Sequence, residues 1–198
     1  MTTWTEHRTF MRRALSRPDL LGAPAPTGAT LATEIARVVP STGAATVVEL
    51  GAGTGALCPA IRDRLAPGSR YVAVELDGEL VTHLRRALPW LEVHHGDAAH
   101  LGPLLDAAGV GPVDAVVSSL PWTLLPPAQR RSMLAGIAAT LAPDGVFTTI
   151  TTLTALPPRV RDLRRCLDAT FDEVIATAPV WRNLPPSRLY ICRRPLPC

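Results

Sequence analysis

The sequence predicts an α/β protein built on a seven-stranded, mostly parallel sheet that ends in a C-terminal antiparallel hairpin. Three observations lead there. Short β-branched runs alternate with helical patterns along most of the chain, the signature of parallel strands joined by crossover helices. The apolar run Val47-Val48-Glu49-Leu50 passes directly into Gly51-Ala52-Gly53-Thr54-Gly55, a strand-to-helix turn with three alternating glycines. The last two strand candidates are separated only by a turn-rich stretch around Asn183-Leu184-Pro185-Pro186, too short for a crossover helix and suited to an antiparallel pair.

Residues 3–21 read as a helix on which Trp4, Met11 and Leu15 share one stripe while Arg8, Arg12, Arg13 and Arg17 supply positive charge. Such a helix either lies in an anionic membrane interface, its arginines near lipid phosphates, or packs on the domain as a lid. The sequence leaves both open. After prolines at 18, 24 and 26, Thr27–Val39 reads as a second helix with Ala29, Leu31, Ala32, Ile35 and Ala36 as its buried side. Residues 1–40 are therefore set apart as an N-terminal helical lid or membrane-surface segment, and 41–198 as the ligand-binding domain. Strands are expected at Thr46–Leu50, Arg70–Leu76, Leu91–His95, Val113–Ser119, Val146–Thr152, Glu173–Pro179 and Arg188–Arg193. Helices are expected at Ala56–Leu65, Gly78–Ala87, Leu101–Ala108 and Ala128–Leu141.

Composition narrows the partners. At 198 residues the chain is long enough for one domain with a full core and too short for a second enzyme domain. It is 47% hydrophobic with a formal charge of +3, an ordinary globular balance that gives no reason to expect a nucleic-acid partner. Every basic residue other than histidine is arginine, which reflects either a coding bias or a preference for phosphate, which arginine grips bidentately. No apolar run reaches the roughly 20 residues of a spanning helix. The N-terminus lacks the apolar core and cleavage site of a secretory signal, so a cytoplasmic location is expected. Cys58, Cys166, Cys192 and Cys198 form no Cys-x-x-Cys pair and read as free thiols, and the five histidines have no metal-ligand spacing, so no metal is expected.

The glycine turn carries the first chemistry. Glycines there let backbone approach a ligand closely, because a Cβ would clash and such turns need positive φ. Glu49, just before the turn, would repel a phosphate, which points away from a dinucleotide pyrophosphate and toward a ligand with a cationic or hydroxylated group. Glu75 ends the second strand in Val72-Ala73-Val74-Glu75-Leu76-Asp77, where an acid accepts hydrogen bonds from both hydroxyls of a ribose. That fits NAD and S-adenosyl-L-methionine (SAM) alike. The third strand delivers Gly96-Asp97-Ala98, where the Asp97 carboxylate can accept an adenine amino group and Ala98 can offer its backbone N–H; alternatively Asp97 caps the next helix.

Seven strands ending in a hairpin resemble the class I methyltransferase fold, a Rossmann-like arrangement, over nearly the whole chain. The resemblance implies a SAM site formed by Glu49, Gly51, Gly53, Gly55, Glu75 and Asp97, with Glu49 near the amino-acid end of the cofactor. Leu76, Ala98 and Ser118 join them as cofactor contacts. Ser118-Ser119-Leu120-Pro121-Trp122 then follows the fourth strand at the carboxyl edge of the sheet, where ligands of open α/β sheets bind. In amino-methyltransferases this loop presents backbone carbonyls and an aromatic face to the attacking nitrogen, so Ser118, Leu120 and Trp122 are its expected acceptor-positioning residues. Trp122 either holds an ammonium by cation–π attraction or fills a gap under the N-terminal helix.

A closer resemblance rests on Phe10 through Ala32, on Val116-Val117-Ser118-Ser119-Leu120-Pro121, and on Val180-Trp181-Arg182-Asn183-Leu184-Pro185-Pro186-Ser187-Arg188. These look like the bacterial soluble phosphatidylethanolamine N-methyltransferases. That family implies a lipid amine as acceptor, or, with a repurposed pocket, a soluble small molecule. It also implies peripheral contact with an anionic inner-membrane surface. Arg182 and Asn183 become candidates for the substrate side; otherwise Asn183 and its prolines shape the hairpin. The chain departs from the family at Thr148-Thr149-Ile150-Thr151-Thr152-Leu153, which has no tyrosine, and at Trp122, where a smaller aliphatic residue is common. An RNA adenine dimethyltransferase is disfavoured by Ser118 in place of asparagine and by the lack of residues for a C-terminal helical domain, and the altered segment at 148–153 leaves a SAM-binding protein without turnover as a lesser alternative.

Overall fold

The computed structural model describes residues 27–197. The expected basic helix at residues 3–21 and its four arginines lie outside that range. Described elements run α1 (Ala29–Ala36), β1 (Thr46–Leu50), α2 (Cys58–Arg62), β2 (Arg70–Glu75), α3 (Gly78–Ala87), β3 (Glu92–His95), a 3-10 turn (Ala98–His100) and α4 (Leu101–Ala107). They continue as β4 (Val113–Ser118), α5 (Pro127–Thr140), β5 (Leu141–Thr152), α6 (Pro157–Asp168), β6 (Phe171–Ala176) and β7 (Ser187–Pro195).

Strand order is β3-β2-β1-β4-β5-β7-β6. Strands β1 to β5 are parallel, and β7 pairs antiparallel with both β5 and β6. The carboxyl ends of β1, β2, β3 and β4 therefore share one edge, and the start of β7 joins them there because Thr152 stands opposite Ser187. Alternation along each strand sends side chains to two apolar layers. On β1, Val48 and Leu50 enter the layer with Phe147, Leu163 and Phe171, whereas Val47 enters the layer with Leu31, Ile35 and Ile61.

Helix α1 buries Leu31, Ala32, Ile35 and Ala36 as its spacing predicts, with Ala29 left exposed at its start. Its leucine and isoleucine share a core with β1, so residues 29–39 pack as part of the sheet domain although the sequence boundary falls at 40. Helix α6 has no counterpart in the sequence reading. Its apolar stripe is thin, with Leu163 and Leu167 alone buried on a face otherwise crowded by arginine and aspartate. Pro157 and Pro158 open the helix, because proline is accommodated in a first helical turn, where its missing N–H has no intrahelical partner anyway. Among the described residues no helix is long and apolar enough to cross a membrane.

Candidate functional site

The glycine turn opens at the end of β1, where Gly51, Gly53 and Gly55 all have positive φ, at +73°, +58° and +82°. Different neighbours surround each. A Cβ on Gly51 would stand 2.7 Å from Leu120 Cδ2, while one on Gly53 would meet nothing within 4 Å. Gly51 thus seats the loop after β4 on the turn, and Gly53 is the position that borders open space. Gly51 N–H also donates to Val74 O at 2.9 Å, and Ser119 N–H to Leu50 O at 3.1 Å, which locks the ends of β1, β2 and β4 together.

Glu75, at the end of β2, is 1% exposed and is held by backbone donors. Its Oε2 accepts from Gly53 N–H at 2.9 Å; its Oε1 accepts from Leu76 N–H at 2.9 Å and Asp77 N–H at 3.0 Å. An ionised carboxylate has about four acceptor directions, so one remains on Oε2 for an outside hydroxyl. Engaging both hydroxyls of a ribose requires Gly53 to release its bond. Next along the edge, Gly96 N–H donates to Glu75 O at 2.9 Å. Asp97 then caps the 3-10 turn, its Oδ1 accepting from Ala99 N–H at 2.9 Å, with Ala98 buried behind it and Leu76 packed against the same core. Asp97 therefore performs the capping role at least, at the end of β3 beside Glu75.

Ser118 and Leu120 are buried at the end of β4. The Ser118 hydroxyl accepts from Trp122 Nε1–H at 2.9 Å and from Leu120 N–H at 3.3 Å. Trp122 is 1% exposed and packs edge-on against Phe147, ring centroids 5.6 Å apart. Its indole is turned into the core and offers no open aromatic face. This corrects the cation–π expectation for Trp122, because an indole has one N–H to satisfy and Ser118 supplies the acceptor from below. Trp122 instead braces Ser118 and Leu120.

Glu49 is fully buried on the α1 side of the sheet. The Tyr71 hydroxyl and the Cys58 thiol both donate to its Oε2, the latter at 3.3 Å, and Oε1 has no protein partner. Tyr71 is not among the expected site residues and Cys58 reads from sequence only as a free thiol; the signal available is strand parity, since Tyr71 stands opposite Val47 and shares the face of Glu49. Burial pushes the Glu49 carboxyl above its ordinary value of 4.5, against the opposing hydrogen bonds from Tyr71 and Cys58. With a raised folded pKa, the folded protein keeps this proton where the unfolded chain has lost it. The associated stability is complete below the ordinary carboxylate range and is lost as pH rises from there toward the raised value. Glu49→Gln, which keeps an acceptor for Tyr71, is expected to flatten that decline in urea melts at acid and neutral pH. Parallel decline in both proteins would mean that Glu49 does not titrate in the window.

Arg182 and Asn183 lie apart from this cluster, in the β6–β7 connection, two strands along the edge from Ser118. Asn183 is 9% exposed and its amide is used up by the protein. Its Oδ1 accepts from Gly28 N–H at 2.9 Å, and its Nδ2 donates to Pro185 O at 2.9 Å and Ser187 Oγ at 3.2 Å. It shapes the hairpin and ties it to the chain entering α1. Arg182 is exposed on the same tip.

The profile of the methyltransferase domain family matches residues 47–145. The chain belongs to the methyltransferase family. This methyltransferase is 33% identical over 187 residues to the ornithine lipid N-methyltransferase of Singulisphaera acidiphila, covering 93% of this chain and 94% of that one. The fold matches the glycopeptide N-methyltransferase MtfA, solved with SAM, at a TM-score of 0.67 and 20% identity, covering 87% of this chain and 96% of that one. It also matches TrmN from Thermus thermophilus at a TM-score of 0.65 and 19% identity over 92% of this chain, which spans about half of that protein, 52%. The chain is a SAM-dependent methyltransferase with a Rossmann-like fold.

Proposed function

We propose that this methyltransferase transfers a methyl group from SAM to the amine nitrogen of a lipid head group, such as phosphatidylethanolamine or an ornithine lipid. What carries the reading is the relationship to an ornithine lipid N-methyltransferase along almost the whole length of both chains. The site is compatible with the cofactor. Gly53 borders open space, and Glu75 retains an acceptor for a ribose hydroxyl beside it. In this reading Gly51, Gly53 and Gly55 admit the cofactor's close approach, Glu75 takes the ribose, and Leu76, Asp97 and Ala98 border the adenine. Glu49 supports the amino-acid end from beneath the turn.

When bound, SAM supplies a methyl group on a sulfonium, so the acceptor needs an in-line lone pair more than a strong acid or base. The loop after β4 suits that requirement. Ser118 and Leu120 are neutral, buried and fixed by hydrogen bonds, and the Leu120 carbonyl accepts Trp122 N–H at 2.9 Å with a second lone pair left. These groups orient an amine without charging it. In this reading Arg182, exposed on the tip two strands along, meets the phosphate or carboxylate of a head group.

The test is incubation with methyl-labelled SAM and three acceptor pools: phosphatidylethanolamine vesicles, ornithine lipid vesicles and a lipid-free polar extract. Label in either lipid is expected. Label confined to polar metabolites, or to none of the pools, overturns the reading.

A further inference from the structure

The exposed apolar side chains are unevenly distributed. Among the described residues the large hydrophobics left in solvent include Trp181 at 72%, Leu184 at 68%, Leu156 at 57% and Leu153 at 38%. All four stand at the carboxyl edge of the sheet. Leu153 follows the last residue of β5, and its N–H donates to Pro186 O at 2.8 Å, so the loop entering α6 and the β6–β7 tip lie side by side. The tip itself is closed by the Val180–Ser187 bridge, which places Trp181 and Leu184 beyond the start of β7. These loops rim the edge that carries the glycine turn, Glu75 and Ser118.

Charge follows the same boundary. The sequence has no acidic residue from Gly145 to Arg161 and none after Glu173, while Arg159, Arg161, Arg182 and Arg188 fall within or beside the two loops. Arg159, Arg161 and Arg182 form no ion pair among the described residues, whereas Arg164, Arg165, Arg193 and Arg194 each have an acidic partner. Exposed tryptophan and leucine beside unpaired arginine suit the boundary between acyl chains and phosphates of an anionic bilayer. The Asn183–Gly28 bond ties the chain entering α1 to the same tip.

We infer that Leu153, Leu156, Trp181 and Leu184 form an apolar rim, flanked by Arg159 and Arg182, that seats the mouth of the site on an anionic lipid bilayer. This rests on the lipid-amine reading and deepens it. A lipid whose head group must reach Ser118 while its tails stay in the membrane is served by an enzyme whose open edge faces the bilayer.

The full chain is tested for co-sedimentation with phosphatidylcholine vesicles containing phosphatidylglycerol. The pair Trp181→Ser and Leu184→Ser is expected to lower the partition coefficient about tenfold or more, with the melting temperature retained. Arg159→Gln with Arg182→Gln is expected to weaken binding to the anionic vesicles and to leave binding to pure phosphatidylcholine unchanged. Ile175→Ser with Leu196→Ser, at exposed apolar positions outside the two loops, serves as the matched control and is expected to leave partition unchanged. In a second measurement on the native sequence, brominated lipids are expected to quench tryptophan emission more than in Trp181→Phe.

Partition equal to wild type in the Trp181 and Leu184 variant, equal quenching with and without Trp181, or an equal loss in the control pair overturns the rim. So does loss of self-association in place of vesicle binding, read by analytical ultracentrifugation. Methyl transfer is scored separately. Rim-dependent binding without transfer to any lipid sinks the functional reading alone, and transfer with rim-independent binding sinks the rim alone.

Discussion

Glu75→Gln is expected to raise the Kd for SAM about a hundredfold while leaving most of the folded stability in place. One hydrogen bond from a ribose hydroxyl to the acceptor direction left on Glu75 Oε2, at about 1.5–3 kcal/mol, accounts for a loss of that order. The amide keeps one acceptor oxygen and turns an NH2 group toward backbone N–H donors that the carboxylate now satisfies on both sides. Glu75→Ala is expected to be worse in a second way. It leaves the Gly53, Leu76 and Asp77 N–H groups without their acceptor, and each buried donor so stranded costs about 1–3 kcal/mol. Calorimetric titration with SAM and thermal unfolding separate the two effects. An unaltered Kd in Glu75→Gln would remove Glu75 from the cofactor site.

Gly51→Ala is expected to lower methyl transfer more than tenfold, and part of that loss is expected to return on adding Leu120→Ala. Two costs meet at this position. Its φ of +73° belongs to the left-handed region, which charges an L-residue about 1–2 kcal/mol. Its new Cβ would also fall 2.7 Å from Leu120 Cδ2, and Leu120 is itself buried at 4% exposure, so it moves only by moving the loop that starts at Ser118. Shortening Leu120 removes the collision and leaves the backbone cost, hence the partial recovery. Single-turnover rates on the two single variants and the double variant measure the coupling. Strict additivity would mean that the glycine turn and the loop after β4 are independent.

The sequence displayed what the backbone must do and concealed which way side chains face. Glycines at 51, 53 and 55 declare a turn because positive φ is costly to other residues, and Glu75 ends β2 while Asp97 follows β3 by two residues. The C-terminal antiparallel pair was legible from the shortness of its connection. Trp122 looked available because it follows a proline loop, but only three-dimensional packing reveals that Ser118 and Phe147 wait beneath it. Asn183 presents the same difficulty, as its partner Gly28 is 155 residues distant. Helix α6 was hidden by its arginine-rich face and by opening prolines that usually mark loops. The Glu49, Tyr71 and Cys58 cluster joins three elements through one carboxylate, a link that no spacing in the chain encodes.

The place of β7 between β5 and β6 gives assembly a direction in time. A ribosome delivers β6 before β7, so β6 emerges with no strand to join, while the open side of β5 stays bare until β7 arrives to fill the slot. The glycine turn and its neighbours on β1, β2 and β4 can pair from segments already synthesised. The edge that carries the glycine turn and Glu75 is thus expected to form early in translation, and the tip bearing Trp181 and Leu184 to settle later, when β7 closes over the nascent sheet.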